Sequence, residues 1–136
     1  SSGSYDGFIY LLTLSIAEFL AHNDKEGAWN RIEFFFENNL EEKDKDFLNQ
    51  RIKARMDGKD REIPAIRVLY DMRNDFVHAA ESFFMISPNG GEFASVKYVK
   101  PNGKREGYLA DVRIDLGCYL GVFWSAYFKF FSRTDR

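Results

Sequence analysis

Apolar residues recur at the three- and four-residue spacing of an α-helix over most of this chain, and this periodicity constrains its fold more than any other feature. The first such segment runs from Phe8 to about Ala21, and Asn23 and Asp24 interrupt the pattern after it. A second runs from about Lys25 to Leu40, and a more polar third runs from about Glu42 to Met56. The pattern predicts three successive helices.

Two further helices are predicted in the second half of the chain. Pro64 suits the first turn of a fourth helix, which we expect to run to about Ser82. Either Asp111 or Asp115 can cap a last helix. The apolar residues of this last helix lie on almost every side of it and are Leu116, Leu120, Phe123, Trp124, Tyr127, Phe128 and Phe131. Such a helix belongs at the centre of a bundle or at an interface.

Between these two helices the sequence changes to a β pattern. Turn-forming residues occur at 87–91 and 100–104, and β-branched and aromatic residues lie between them. We therefore expect a small antiparallel hairpin or three-stranded meander over about 84–112. The predicted fold is all-α, an antiparallel bundle of about five helices with this small β insertion before the last helix.

Length and composition limit the domain organisation and the chemistry. A chain of 136 residues forms one domain, here 1–136, although Ser1–Ser4 resembles a cloning remnant or the start of an excised fragment. The single cysteine, Cys118, excludes an internal disulfide, and its apolar neighbours predict a buried, reduced thiol. One cysteine and two separated histidines cannot form a metal site without unusual help from carboxylates, so we expect no metal and no cofactor.

Charge and hydropathy limit the partners. The formal net charge is −2 and the pI about 5.7, so RNA binding requires a local basic patch rather than a basic surface overall. The run from Phe8 to Ala21 is too short to span a bilayer, and we expect a cytoplasmic protein without membrane contact. Aromatic residues make up 17% of the chain, which predicts a well-packed core with a surplus for an oligomer interface.

The fourth predicted helix carries the one group of residues that suggests chemistry. Arg73, Asn74 and His78 lie within about two turns of an otherwise apolar segment. A guanidinium can bind phosphate and an imidazole can transfer protons near neutral pH. The pattern Arg-Asn-x-x-x-His resembles the signature of the HEPN superfamily, whose ribonucleases carry Arg-polar-x-x-x-His.

The resemblance implies a metal-independent endoribonuclease. In such members the RNA 2′-hydroxyl attacks the adjacent phosphate, which gives a 2′,3′-cyclic phosphate and a 5′-hydroxyl end. His78 would act as general base or acid, Arg73 would hold the phosphate, and Asn74 would orient either group. It further implies a homodimer that pairs two motifs, and a setting in phage defence, RNA processing or a toxin system with an antitoxin partner. The toxin–antitoxin branch usually carries tyrosine where this chain has Ala80, which weakens that setting.

Helix geometry leaves the arrangement of the motif open. On an ideal helix Arg73 lies in the middle of the apolar face, and His78 lies about 140° away beside Asn74. Either the helix starts late or kinks, or the long Arg73 side chain reaches round, or Arg73 of one subunit meets His78 of the other. Arg73 can also be a structural residue that pairs with Asp71, Asp75 or a helix end.

A basic and aromatic cluster in the β segment is a second candidate site. Its basic residues, which we predict to contact an RNA backbone, are Lys97, Lys100, Lys104 and Arg105. Neighbouring Tyr98 and Tyr108 could stack on a base. A basic hairpin face of this kind is more often simply solvated, which is the alternative to RNA binding.

Two alternatives to catalysis remain. The first is a non-catalytic HEPN-like domain that dimerises or binds RNA, a nucleotide or a partner protein. The second is a helical interaction module of a larger protein, in which the motif arises by chance.

Overall fold

The computed structural model of this chain describes residues 2–57, 59–79, 92–99 and 103–133, with the side chains of residues 9, 12–57, 59–75, 103–104 and 106–133. The described elements are, in chain order, α1 (Ser2–Leu20), α2 (Ala28–Asn39), α3 (Glu42–Arg51), β1 (Ile52–Met56), β2 (Lys59–Arg61), α4 (Ala65–Ala79), β3 (Glu92–Val99), β4 (Arg105–Val112) and α5 (Leu116–Ser132).

The four strands form one antiparallel sheet in the order β2-β1-β4-β3. Ala54 of β1 pairs with Ala110 of β4, and Ile52 pairs with Val112. These four side chains are at most 1% exposed, so they form the inner face of the sheet against the helices. The predicted all-α class is therefore wrong, and the chain is an α+β domain.

The third helix is the first element that differs from its prediction, because it was predicted to continue to Met56. The helix α3 ends at Arg51, and the next five residues form β1. Here the buried Ile52 and Ala54 alternate with the partly exposed Lys53 and Arg55, which is the two-residue period of a strand. Over so short a segment, the four-residue spacing from Ile52 to Met56 also fits a helix, so the local pattern misled the prediction.

The predicted β insertion was also too small. The strands β3 and β4 do form an antiparallel hairpin, but β4 pairs with β1 as well, and the hairpin is half of the sheet. A hairpin is recognisable from adjacent sequence, whereas the pairing of β1 with β4 joins segments about 55 residues apart. Residues 84–91 of the predicted insertion lie outside the described residues.

Four of the predicted helices are confirmed with shifted ends. The helix α1 begins at Ser2, α2 is shorter than predicted, and α4 follows Pro64 and is described to Ala79. Asp115 caps α5, because its Oδ1 accepts the backbone N–H of Cys118 at 2.9 Å. The alternative cap, Asp111, lies within β4. Among the described helices, none combines the length and hydropathy needed to cross a bilayer.

The core lies between the helices and the inner face of the sheet. Its largest side chains with less than 2% exposure are Leu14, Ile32, Phe35, Leu48, Ile52, Leu69, Met72, Tyr119 and Phe123. The helix α5 is not central, although its composition allowed that prediction. One face, which includes Tyr119 and Phe123, is buried, while Trp124 on the other face is 71% exposed. Cys118 is also exposed, so the predicted burial of its thiol was wrong.

Candidate functional site

The helix α4 lies between α1 and the sheet, and it carries polar side chains on both flanks. On one flank, Arg73 contacts Glu18 of α1. On the other, Asp71 contacts Tyr108 of β4. The two flanks face nearly opposite directions, because Asp71 and Arg73 are two residues apart on a helix that turns about 100° per residue. Of the candidate catalytic residues, Arg73 belongs to the flank that faces α1.

The guanidinium of Arg73 is held by two side chains. Its Nη1 donates to Oε1 of Glu18 at 2.6 Å, and its Nη2 donates to Oδ1 of Asn74 at 3.4 Å. The guanidinium carbon also lies 5.2 Å from the ring centre of Tyr70. The Arg73 side chain is 11% exposed and that of Glu18 is 28% exposed. The arginine is therefore fixed in one orientation at the edge of the core.

Glu18 was not predicted as part of the site. For a structural Arg73, the predicted partner was Asp71, Asp75 or a helix end. The partner in the structure is Glu18. The only signal in the sequence was that Glu18 is the one charged residue of the predicted first helix, which runs from Phe8 to about Ala21. A single acidic residue does not show which side chain it will contact, because the contact depends on how α1 packs against α4.

His78 is only partly described. Its backbone lies in α4, one turn after Asn74, but its side chain lies outside the described side chains. The structure therefore brings Arg73 and Asn74 together and leaves the distance between Arg73 and His78 undefined. It does exclude a late helix start, because α4 begins at Ala65 and continues through Arg73. A kink, a long reach of Arg73 and a pairing across two subunits remain as ways to join the two side chains.

The opposite flank of α4 forms a buried polar network with the sheet. The Tyr108 hydroxyl donates to Oδ2 of Asp71 at 2.9 Å, and Nε of Arg67 donates to Oδ1 at 3.2 Å. Burial raises the pKa of Asp71, although Arg67 and Tyr108 act in the opposite direction. Burial and the Asp71 carboxylate also raise the pKa of Tyr108. These bonds connect α4 to β4, so we assign them a structural role.

The four predicted RNA-binding residues are only partly described. Lys104 is exposed just before β4, and Lys100 lies outside the described residues. For Lys97 and Arg105 the backbone alone is described. Position 97 pairs with position 107, and position 105 pairs with position 99. Paired positions share a face of a sheet, so positions 97 and 105 both belong to the outer face, away from α4.

Two helices together expose a large apolar surface. It consists of seven of the eight exposed large apolar side chains that the structure describes, and we call it the α1–α5 surface: Leu12, Ile16, Phe19, Leu120, Trp124, Phe128 and Phe131. The two helices meet at Thr13, whose Oγ1 lies 2.7 Å from the Tyr119 hydroxyl and whose carbonyl accepts the Tyr127 hydroxyl. These bonds hold the two helices that carry the exposed stripes against each other.

Metal ligation has no support in the described part of the chain, where no three histidine, cysteine or acidic side chains are grouped to hold an ion. The chain matches no protein-family model, no curated protein and no solved structure. The resemblance to the HEPN superfamily therefore depends on the residues of the motif.

Proposed function

We propose that this chain is a metal-independent endoribonuclease of the HEPN type. The observation that carries the proposal is the fixed guanidinium of Arg73, held by Glu18 and Asn74 on the helix that also carries His78. Catalysis of phosphoryl chemistry depends mainly on charged groups that are positioned before the reaction begins. An arginine held in this way meets that requirement. By resemblance, the proposed setting is cytoplasmic, in defence, toxin or RNA-processing systems.

The proposed reaction is an internal transesterification. The 2′-oxygen of one nucleotide bonds to the adjacent phosphorus, and the bond from phosphorus to the 5′-oxygen of the next nucleotide breaks. His78 takes the proton from the 2′-hydroxyl or delivers a proton to the departing 5′-oxygen. Arg73 donates hydrogen bonds to the non-bridging phosphate oxygens as their negative charge increases. The products are a 2′,3′-cyclic phosphate and a 5′-hydroxyl end.

In this scheme Glu18 is a positioning residue. A guanidinium carries five N–H donors, and the bonds to Glu18 and Asn74 use two of them. The other donors provide the means to bind a phosphate while Glu18 keeps the planar group in place. Restricting the rotation of Arg73 before the substrate arrives reduces the entropy lost on binding.

The test is RNA cleavage by purified protein in EDTA, with analysis of the product ends. We expect His78→Ala and Arg73→Ala each to reduce the rate by about 10²-fold or more. The control is His22→Ala, which removes the other histidine, an exposed residue just after α1. His22 contacts the carbonyl and ring of Phe19, so light scattering must also show that this variant dimerises as the wild type does. Cleavage at the wild-type rate by both motif variants would exclude this site.

We also propose that the active form is a homodimer joined through the α1–α5 surface. Its four aromatic side chains are 67–71% exposed. A stable interface buries about 800 Å² on each partner, and large aromatic side chains, at about 150–250 Å² each, supply much of such an area. None of the seven residues is charged, as is typical of the core of a protein interface. A second copy of the chain supplies a surface of matching size and character.

A second candidate function is a non-catalytic domain that dimerises and binds RNA, a nucleotide or a partner protein. It is favoured by the same ion pair, because a carboxylate 2.6 Å from a nearly buried arginine is also the arrangement of a purely structural contact. The cleavage assay separates the two candidates. Dimerisation and RNA binding by the wild type without cleavage of varied RNAs would favour the second.

A further inference from the structure

The outer face of the sheet brings together basic side chains from two separate segments of the chain. Arg51 ends α3, Lys53 and Arg55 lie on β1, and Arg113 follows β4. We call these four residues the outer basic cluster. With Gln50 and Asp111 they line a concavity of about 170 Å³. This is a local positive patch on a chain whose formal net charge is −2.

Two carboxylates hold three of these cations in place. Asp111, whose side chain is 7% exposed, accepts from Nε of Arg113 at 2.9 Å and lies 3.8 Å from Nη1 of Arg55. Asp60 accepts from Nε of Arg55 at 2.9 Å and lies 3.6 Å from Nζ of Lys53. The four cations exceed the two carboxylates, so the cluster keeps a net positive charge. The side chains of Lys53, Arg55 and Arg113 are 43%, 38% and 63% exposed.

Two of the cations are neighbours across the ladder between β1 and β4. The backbone N–H of Arg113 donates to the carbonyl of Arg51 at 2.7 Å. Since Ile52 pairs with Val112, Arg51 and Arg113 are opposite one another on the outer face. Nη1 of Arg51 donates to the carbonyl of Arg113 at 3.5 Å, and Asp111 holds Arg113, so the two guanidinium groups share one carboxylate on this face. Two cations beside one carboxylate leave a positive charge that suits a negatively charged ligand.

We infer that the outer basic cluster binds the phosphate backbone of single-stranded RNA. Lys53 and Arg55 are two residues apart on one strand, about 6.7 Å, and Arg51 and Arg113 extend the row along the same face. Positions 97 and 105 lie on this face as well. The inference rests on the proposed function for the choice of RNA as the polyanion. The cluster lies across the sheet from α4, so it would anchor RNA at a distance from Arg73.

The experiment measures binding of a labelled single-stranded RNA whose 2′-positions are all O-methylated. Such RNA lacks the 2′-hydroxyl nucleophile, so binding is measured without cleavage. We compare Lys53→Gln/Arg113→Gln with Lys43→Gln/Lys129→Gln, which removes two exposed cations elsewhere and gives the same net charge. We expect the first variant to bind about tenfold more weakly, with a salt slope smaller by about 1.4, and the control to bind as the wild type does.

The charge-conserving variant Lys53→Arg/Arg113→Lys should retain the affinity, which shows that charge at these positions, rather than a disturbed sheet, is responsible. Equal affinities of the glutamine variant and its control would overturn the inference, as would a wild type that does not bind the RNA. The binding readout is independent of cleavage. A protein that binds through this cluster but never cleaves RNA would contradict the proposed function and leave this inference in place.

Discussion

Glu18 of α1 and Arg73 of α4 form an ion pair in which Nη1 of Arg73 lies 2.6 Å from Oε1 of Glu18. The two residues are 55 positions apart in the chain, and Arg73 is 11% exposed. Breaking this contact would destabilise the protein, because a nearly buried guanidinium without a carboxylate partner costs free energy. The pair therefore joins the two helices and fixes the arginine of the motif at the same time.

Glu18→Ala should destabilise the protein. The substitution leaves Arg73 nearly buried without its carboxylate, and we expect the free energy of unfolding to fall by about 1–3 kcal/mol. Urea denaturation measures this change. Glu33→Ala removes an exposed carboxylate from α2 and should change the stability by less than about 0.5 kcal/mol. Equal losses in the two variants would contradict the role of the ion pair.

Glu18→Gln should lower the rate of RNA cleavage while preserving more activity than Glu18→Ala. Glutamine keeps an oxygen that can accept from Arg73, but it lacks the charge that strengthens the bond. If Glu18 only positions Arg73, kcat should fall by about tenfold or less in the glutamine variant and by more in the alanine variant. Rates are compared at a temperature where circular dichroism shows both variants folded. Full activity of a folded Glu18→Ala protein would exclude the positioning role.

Trp124→Glu/Phe128→Glu should convert the dimer to a monomer. The two rings are 71% and 68% exposed in the single chain, and charged side chains in their place would have to be desolvated in the interface. Light scattering coupled to size exclusion gives the mass of each species. Ser125→Glu adds a charge to the same helix on a different side and should leave the dimer intact. A wild type that is monomeric at high concentration would count against the proposed interface.

Asp71→Asn should change how stability depends on pH. Burial raises the pKa of Asp71 above its ordinary value of 3.8, so the folded state binds a proton more readily than the unfolded state. The stabilisation due to this proton is complete below the unfolded pKa and is lost as the pH rises through the folded pKa.

The wild type should therefore gain stability relative to Asp71→Asn as the pH falls from about 7 to about 4. Urea denaturation of both proteins at several pH values gives the difference between their free energies of unfolding. Groups that titrate in both proteins cancel from this difference. A difference that changes in the opposite direction would show that Arg67 and Tyr108 outweigh burial at this carboxyl group.

Much of the helical structure could be predicted from local patterns. The apolar spacing indicated α1, α2, α4 and α5, and Asp115 was one of two caps proposed for α5. These features are predictable because a helix forms its hydrogen bonds between residues four apart, so its signals lie within the segment itself. For the same reason, the motif could be assigned to α4 before its surroundings were known.

The sheet and the surroundings of the motif depended on tertiary structure. The residues of β1 form a strand because Ala54 and Ile52 find Ala110 and Val112 as partners, and this pairing overrides a spacing that also fits a helix. That pairing also adds Arg113 to the outer basic cluster by bringing it next to Arg51. Strand hydrogen bonds join distant segments, so their partners cannot be identified from either segment alone.

Local patterns were enough to assign Arg73, Asn74 and His78 to one helix and to show that the chain is rich in aromatic residues. Tertiary packing determined that Glu18 is the partner of Arg73 and that Tyr108 is the partner of Asp71. It also left three aromatic rings of α5 exposed, those of Trp124, Phe128 and Phe131. Periodicity determines which residues share a helix face, because it is a property of the local sequence. What that face contacts depends on how the whole chain packs.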